Sequence, residues 1–372
     1  MFTKFNLRDY NFKLLALVLI EVIIGIVIVN SADSSFTSRH IPGALAGLFA
    51  MLFLSVVNYD FVCKFAYVYY IINTVLLLLV LLVGVNVNNA TRWILIGGAG
   101  GVQFQPSEFS KLFMIIFIAV FLDKYKEKNQ INTFKCIAFF ALYVGITLIL
   151  IVSEPDLSTT ICLTLVIVTM LYVSGLSYKI IGIALLILIP LSGSFLWYIQ
   201  RPDQVLLKDY QVGRIMQFIY PSQYGTDYSQ QNNSIMAIGS GQLTGKGLNT
   251  STIATVKDAN FISEQQTDFI FSVIGEELGF VGSLIIIAII LLIVLQCISV
   301  GRNAKDTKGM LIATGMGCLI AYQSFINISV ATGVLPNTGI PLPFISYGLS
   351  SLLSIMAGMG IVLNISLQRA KY

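Results

Sequence analysis

The chain has 372 residues, of which 56% are hydrophobic and only 11% are charged, and its formal net charge is +4. A soluble globular domain carries roughly 25% charged residues, so this composition excludes an ordinary water-soluble enzyme and indicates a protein that spans a membrane. The excess of basic residues lies in the connections between apolar segments and forms no patch typical of a nucleic-acid-binding protein, so we expect no nucleic-acid partner.

A helix needs about 20 mainly apolar residues to cross the hydrocarbon core of a bilayer. Ten segments approach or exceed this length: 14–31, 42–59, 65–85, 107–122, 136–152, 157–174, 179–199, 269–298, 309–333 and 348–366. The sequence therefore predicts an all-α fold, a polytopic helical bundle of about ten transmembrane helices. Residues 1–372 form a single transmembrane domain in this interpretation, with one large loop, 200–268, between the seventh and eighth helices.

The positions of lysine and arginine predict how the bundle is oriented. The basic residues of the short connections fall mainly on one side of the membrane if the N-terminus is inside. Such residues are enriched in cytoplasmic loops, so both termini are predicted to be cytoplasmic and the 200–268 loop extracytoplasmic. This orientation places Arg39 and the single histidine, His40, in a short outer loop.

Apolar pieces of the 200–268 loop predict short amphipathic helices that lie on the outer leaflet. Four glycines and Lys246 fall within residues 237–248. Such glycines fit ordinary turns, and they equally fit a nest of backbone N–H groups that binds phosphate. The sequence alone leaves both interpretations open.

A glycine cluster within residues 91–111 precedes the fourth predicted span and indicates a re-entrant or interfacial turn. Glu108 and Lys111 follow three residues apart, on one helix face. Since neither charge is stable unpaired in a membrane, a mutual ion pair is the simplest expectation. Whether the pair also lines a substrate cavity stays open.

Several carboxylates are candidates for chemistry. Asp156 follows a proline in a tight turn, where helix capping is expected rather than catalysis. Asp268 ends the long polar interval directly before Phe269, at the edge of an apolar span. A charge there is usually kept for function, but an aspartate is also an ordinary helix start, so spacing alone permits both. Glu276 and Glu277 lie inside the same span and should face a partner or a cavity.

The loop 332–348 is uncharged and contains three prolines and three glycines, which predicts a rigid, partly buried hairpin. Before it, Gln323 and Asn327 lie one helical turn apart and are expected to form interhelical hydrogen bonds. The chain has no Ser/His/Asp set, P-loop or dinucleotide fingerprint, so no organic cofactor is expected.

Four stretches occur in the order found in the SEDS family of shape, elongation, division and sporulation proteins, and together they resemble that family. They are residues 105–111, 237–247, 267–279 and 333–348. The resemblance implies a peptidoglycan glycosyltransferase of the bacterial cytoplasmic membrane. Such an enzyme polymerises lipid II, an undecaprenyl-diphosphate disaccharide-pentapeptide, at the outer face for cell elongation and shape.

The resemblance also implies roles for individual residues. The essential aspartate of the family matches Asp268, its functionally important tryptophan matches Trp93, and its ion pair matches Glu108 and Lys111. The stretch from Arg92 to Lys111 is most similar to the rod-elongation branch, ahead of the division and sporulation branches.

A mechanism follows from this match. Asp268 would accept the proton of the attacking sugar hydroxyl. Arg92, Arg214 or Lys246, or a divalent cation such as magnesium or manganese, would stabilise the departing diphosphate. The lipid tails would lie between helices in the membrane lipid. The family implies a class B penicillin-binding protein, a transpeptidase, as partner.

Two alternatives from other functional classes remain at the level of sequence. A lipid II flippase or transporter would also use polar residues within spans, and it predicts transport without polymer. A non-catalytic scaffold that recruits a transpeptidase predicts that Asp268 is dispensable.

Overall fold

The computed structural model describes residues 10–87, 90–97, 101–201, 212–213, 216, 229–249, 262 and 264–368. Ten long helices occur in these ranges: α1 (Phe12–Ala32), α2 (Ser34–Val56), α4 (Ala66–Val83), α5 (Pro106–Glu127), α6 (Phe134–Ser153), α7 (Leu157–Ser174), α8 (Tyr178–Ile199), α10 (Ile270–Arg302), α11 (Thr307–Ala331) and α12 (Leu349–Leu367). Two shorter helices are α3 (Tyr59–Lys64) and α9 (Ser229–Ser240).

The predicted helical membrane fold is confirmed. Eight of the described helices have the length and hydropathy needed to cross a membrane: α1, α2, α4, α6, α7, α10, α11 and α12. The remaining long helices, α5 and α8, occupy the positions of the fourth and seventh predicted spans. The number of membrane crossings and the side on which the 200–268 loop lies stay predictions.

The start of the second helix was predicted wrongly. The sequence placed this span at 42–59 and put Arg39 and His40 in a loop, whereas α2 begins at Ser34 and includes both residues. His40 is fully buried, and Pro42 lies inside the helix. Apolar length alone did not extend the span to the polar residues before 42, but Asp33 starts the helix by accepting a hydrogen bond from the backbone N–H of Ser35 at 2.9 Å.

Other helices begin at polar caps that the sequence supplies. The side chain of Asn11 accepts from the N–H of Leu14 at the start of α1, and that of Asp306 accepts from Gly309 at the start of α11. Each cap satisfies a backbone donor that has no partner within the helix. The apolar faces then set how the helices pack.

The two ends of the bundle differ in their contacts. At one end the side chain of Gln265, before α10, donates to the carbonyl of Ala32, the last residue of α1 (3.0 Å). At the other end Asn11 donates to Gln296 (3.3 Å). We call these the Asp268 end and the opposite end.

The helices α11 and α12 form the centre of the bundle, and most of their residues are buried. Small residues let neighbouring helices approach them closely. A Cβ atom on Gly315 would lie 3.0 Å from the side chain of Ile115 on α5. One on Gly358 would overlap Met316 of α11. The hairpin 332–348 joins these two central helices and is therefore held at the core of the Asp268 end.

A small antiparallel sheet was not predicted. It consists of β1 (Val85–Val87), β2 (Ala90–Ile96) and β3 (Val102–Phe104), in that spatial order. The glycine cluster predicted as an interfacial turn separates β2 from β3. Trp93 pairs with Val85, two residues beyond the end of α4. The sheet therefore lies beside the end of the third long helix.

Candidate active site

Asp268 lies in a turn immediately before α10. Phe269, not Asp268, occupies the N-cap position of this helix, and no side chain caps it there. The alternative in which Asp268 simply caps the eighth span therefore does not describe the structure. The Asp268 side chain is half-buried, whereas Phe269 and Ile270, which follow it, are fully buried.

The uncharged hairpin 332–348 lies directly against Asp268. Gly339 has a φ of +74°, and a Cβ atom at this position would lie 3.2 Å from Oδ2 of Asp268. Only glycine adopts such a backbone conformation without strain. The hairpin thus forms one wall of the space around the carboxylate.

Hydrogen bonds to backbone carbonyls hold the hairpin on the turn that carries Asp268. The N–H of Tyr347 donates to the carbonyl of Gln266 at 2.9 Å. The hydroxyl of Ser346 donates to the carbonyl of Thr267 at 2.7 Å. The hairpin is partly buried, as predicted, because three of its carboxyl-terminal residues (344–346) are buried; its rigidity stays a prediction.

The predicted ion pair between Glu108 and Lys111 is present near the start of α5. Nζ of Lys111 lies 2.8 Å from the Glu108 carboxylate, and the two side chains are 1% and 4% exposed. Lys111 also donates to Oε1 of Gln323 on α11 at 3.0 Å. Gln323 in turn donates to the carbonyl of Pro341 in the hairpin at 2.9 Å. The pair is therefore connected to the hairpin that covers Asp268.

A polar cluster around Asp156 was not predicted. As expected, Asp156 caps α7 by accepting from the N–H of Thr159 (3.2 Å). It also accepts from Nε2 of Gln105 (3.1 Å) and from the hydroxyl of Ser107 (3.0 Å). The guanidinium of Arg92 lies 3.5 Å away. The one feature of the sequence that could have indicated this cluster is that all four residues are polar and adjoin apolar spans.

This cluster adjoins the hairpin and contains a second acid. Ser158 donates to the carbonyl of Thr338, the neighbour of Gly339. Glu154, in the turn before Asp156, is fully buried, and neither carboxylate oxygen has a hydrogen-bond partner in the described ranges. Burial, and to a lesser degree the Asp156 carboxylate, raise the pKa of Glu154 to about 9, although Arg92 lowers it. Glu154 is therefore neutral at neutral pH.

The glycine-rich segment 237–248 forms hydrogen bonds to α10 at a break in that helix, and we call these contacts the clasp. Gly279 has a φ of +67° within this helix. The backbone N–H groups of Lys246 and Gly247 donate to the carbonyls of Glu276 and Glu277, each at 3.0 Å. These two N–H groups are thus occupied, and the phosphate-nest interpretation is wrong for them.

The side chains of this segment continue the clasp. Nζ of Lys246 lies 2.7 Å from the carboxylate of Glu276, which is 1% exposed. Glu277 accepts from the hydroxyl of Ser31 on α1 at 2.5 Å. Both glutamates therefore face partners, as expected of carboxylates inside a membrane helix.

Some of the predicted site residues contact the hairpin at the Asp268 end directly, and others are connected to it through intervening side chains. Asp268 contacts the hairpin directly, while Glu108 and Lys111 reach the hairpin through Gln323 and Arg92 reaches it through the Asp156 cluster. Trp93 lies on β2 and is half-buried. Arg214 lies outside the described residues. No group of three or more His, Cys, Asp and Glu that could hold a metal ion occurs in the described part of the chain.

Comparison with known proteins identifies the family. The model of the FtsW/RodA/SpoVE cell cycle proteins matches residues 8–371. The chain is 33% identical over 342 residues to the peptidoglycan glycosyltransferase MrdB of Escherichia coli (strain K12), covering 91% of this chain and 88% of MrdB. It is 32% identical over 379 residues to the probable peptidoglycan glycosyltransferase FtsW of Trichlorobacter lovleyi, covering 97% and 94% of the two chains.

A solved structure agrees with these relatives. It comes from a study of how a peptidoglycan synthase complex coordinates polymerization and crosslinking. One of its chains superimposes with a TM-score of 0.79 at 26% identity, covering 96% of this chain and 97% of that one. The family resemblance predicted from the motifs is thus confirmed, and the chain belongs to the FtsW/RodA/SpoVE family of cell cycle proteins.

Proposed function

We propose that this chain is a peptidoglycan glycosyltransferase that polymerises lipid II at the outer face of the bacterial cytoplasmic membrane, with Asp268 as its base. The relatives MrdB and FtsW, which match more than nine-tenths of the chain, carry the name peptidoglycan glycosyltransferase. The position of Asp268 is the observation that carries the mechanism. It is a half-buried acid held between a membrane helix and an uncharged hairpin.

The reaction needs one base. The 4-hydroxyl of an N-acetylglucosamine attacks the anomeric carbon of an N-acetylmuramic acid diphosphate, the carbon–oxygen bond to the diphosphate breaks, and Asp268 takes the hydroxyl proton. A displacement with one base and no covalent intermediate inverts the anomeric centre. The hairpin lies against the Asp268 carboxylate, and an electrostatic interaction is stronger where less water surrounds it.

The departing diphosphate needs positive charge, and Arg92 is a candidate among the described residues to supply it. Its Nε is buried and has no hydrogen-bond partner in the described ranges. Asp156 already accepts from Gln105 and Ser107, so Arg92 can turn to an anion without leaving that acid unpaired. Arginine binds phosphate oxygens in a bidentate manner. Lys246 and Arg214 stay predictions for the same role.

We also propose that a divalent cation, magnesium or manganese, could stabilise the departing diphosphate. Carboxylates and phosphate oxygens are ligands that both ions accept. The described ranges contain no cluster that could hold a metal through protein side chains alone. No step of the mechanism is therefore assigned to an ion.

The charge distribution supports an extracytoplasmic Asp268. At the opposite end of the bundle, Lys305 and Lys308 form ion pairs with Asp60 at 2.6 Å and 2.8 Å. Lysines and arginines are enriched in cytoplasmic loops. We therefore propose cytoplasmic termini, with Asp268 and the lipid II sugars on the outer side and the polyprenyl chains between helices.

We propose that the chain acts in the rod-elongation branch with a class B penicillin-binding protein as partner. The stretch from Arg92 to Lys111 supports this branch, although division proteins named FtsW match the chain about equally well. The solved chain with a TM-score of 0.79 comes from work on a complex that couples polymerization to crosslinking, and a transpeptidase supplies the crosslinks.

The test is polymerisation of labelled lipid II by the purified chain in lipid vesicles, with and without the transpeptidase. Glycan strands from the wild type, and none from a folded Asp268→Asn variant, support the proposal. Movement of lipid II across the bilayer without polymer would indicate a flippase. Native-rate polymerisation by the variant would remove Asp268 from the mechanism.

A further inference from the structure

Two amide side chains, Gln323 and Asn327, project from one face of α11 towards the hairpin that covers Asp268. They lie four residues apart, so they follow one another along the same face of the helix. They donate to the adjacent hairpin carbonyls of Pro341 and Ile340. We call these two side chains the amide clamp.

Asn327 joins Asp268 to the hairpin. Its Nδ2 donates to the backbone carbonyl of Asp268 at 2.9 Å and to that of Ile340 at 2.7 Å. Ile340 follows Gly339, whose Cα faces the Asp268 carboxylate. The orientation of the amide is determined, because only the NH₂ group can donate to two carbonyls. One side chain thus binds both the turn that carries Asp268 and the hairpin that lies against its carboxylate.

Gln323 joins the same hairpin to the buried ion pair. Its Oε1 accepts from Nζ of Lys111 at 3.0 Å. Its Nε2 donates to the carbonyl of Pro341 at 2.9 Å and lies 3.3 Å from the hydroxyl of Ser351. Gln323 is fully buried, so these bonds are shielded from water and each lost partner would leave an unsatisfied buried group.

We propose that Asn327 and Gln323 are positioning residues that set the distance between the Asp268 carboxylate and the hairpin, and that Gln323 couples the Glu108–Lys111 pair to that setting. The inference rests on the proposed function of Asp268 as the base. Neither amide needs to touch the substrate. A catalytic group acts efficiently only when held in its productive geometry, and these contacts supply that restraint.

The test uses isosteric apolar variants and a matched control. Asn327→Leu and Gln323→Met remove the donors and keep the size of the side chains. Asn364→Leu is the control, because Asn364 is an equally buried amide that binds the carbonyl of Ser55 (2.9 Å) at the opposite end. The kcat and KM for lipid II polymerisation and the unfolding temperature are measured for each full-length protein.

The clamp variants should lower kcat by about tenfold to a hundredfold, since a displacement near 1 Å can have that effect. Their KM should stay within about threefold of the wild type, because ground-state binding is kept. Asn364→Leu should lower the unfolding temperature with little change in kcat. Wild-type kcat in folded Asn327→Leu would overturn the proposal, as would an equal loss of kcat in the control.

A double variant tests whether the two amides act as one unit. The double variant Asn327→Leu with Gln323→Met should have a kcat only slightly below that of the less active of the two single variants. When either change is combined with Asn364→Leu, the losses in the free energy of activation should add. Additive losses for the two amides would overturn the coupling.

A measurement without substrate separates the clamp from the proposed function. Hydrogen exchange of the Ser346 and Tyr347 amides, which donate to Leu342 and Gln266, should accelerate in Asn327→Leu and not in Asn364→Leu. Unchanged exchange would overturn the clamp even if the wild type polymerises lipid II. Faster exchange in a protein that makes no glycan would support the clamp and refute only the function.

Discussion

The backbone of Gly339 lies against the carboxylate of Asp268, so closely that a Cβ atom would be 3.2 Å from Oδ2. The two residues belong to different elements, the turn before α10 and the hairpin between α11 and α12. Their separation is set by contacts of Asn327, Ser346 and Tyr347 rather than by local sequence. The environment of the proposed base is therefore a tertiary feature.

Gly339→Ala should lower the rate of polymerisation by displacing this carboxylate. The φ of +74° adds strain, of roughly 1–2 kcal/mol for a non-glycine residue, so the unfolding temperature should fall as well. Gly175→Ala is the matched control, because Gly175 also has a positive φ (+91°) but no atom lies within 4 Å of a Cβ atom there. A wild-type rate for Gly339→Ala would show that the hairpin does not constrain Asp268.

Replacing one partner of the Glu108–Lys111 pair should destabilise the protein more than replacing both partners with uncharged residues. Lys111→Met leaves the Glu108 carboxylate buried at 4% exposure without its cation, and losing one partner of a buried pair costs about 3–5 kcal/mol. The combined variant Glu108→Gln with Lys111→Met should recover most of the unfolding temperature. Equal unfolding temperatures for the single and combined variants would contradict this account.

Glu154 should make the stability of the protein depend on pH. Its pKa is raised from 4.5 to about 9 in the folded state, so between these values the folded chain keeps a proton that the unfolded chain releases. Stability from this group is complete below pH 4.5 and is lost as pH rises towards about 9. Glu154→Gln cannot ionise, so its unfolding temperature should fall less than that of the wild type over this window. Parallel pH profiles would contradict the prediction.

Lys246 can be tested for two roles separately. Lys246→Met should destabilise the chain, since Glu276 is 1% exposed and loses its ion-pair partner. Adding Glu276→Gln should restore the unfolding temperature. If Lys246 also holds the diphosphate, as the sequence predicts, the restored double variant should still have a raised KM for lipid II. An unchanged KM would restrict Lys246 to the clasp on α10.

The sequence predicted the features that depend on short spacing. Apolar length located the helices, and the three-residue separation of Glu108 and Lys111 predicted their ion pair. The resemblance to the family proposed Asp268 and Trp93 as site residues, and their roles stay predictions. The partial burial of the hairpin was predictable because the segment carries no charge.

The features that sequence reasoning missed depend on contacts between distant segments. Nothing near Asn327 indicates that its amide would reach the carbonyls of Asp268 and Ile340. The pairing of Arg92 with Asp156 joins a strand to a helix cap, and the strand itself was hidden in a glycine-rich stretch. The break at Gly279 is possible because α9 and the residues after it supply replacement partners, including the carbonyl of Gln242 for the N–H of Phe280 (2.9 Å).

The central claim is that Asp268 is the base for glycan polymerisation. The most direct measurement is the initial rate of lipid II polymerisation by wild type and Asp268→Asn in lipid vesicles, at matched unfolding temperatures and equal lipid II binding. We expect glycan strands from the wild type and none above background from the variant, with lipid II bound to both. Polymerisation by Asp268→Asn at the wild-type rate would contradict the account.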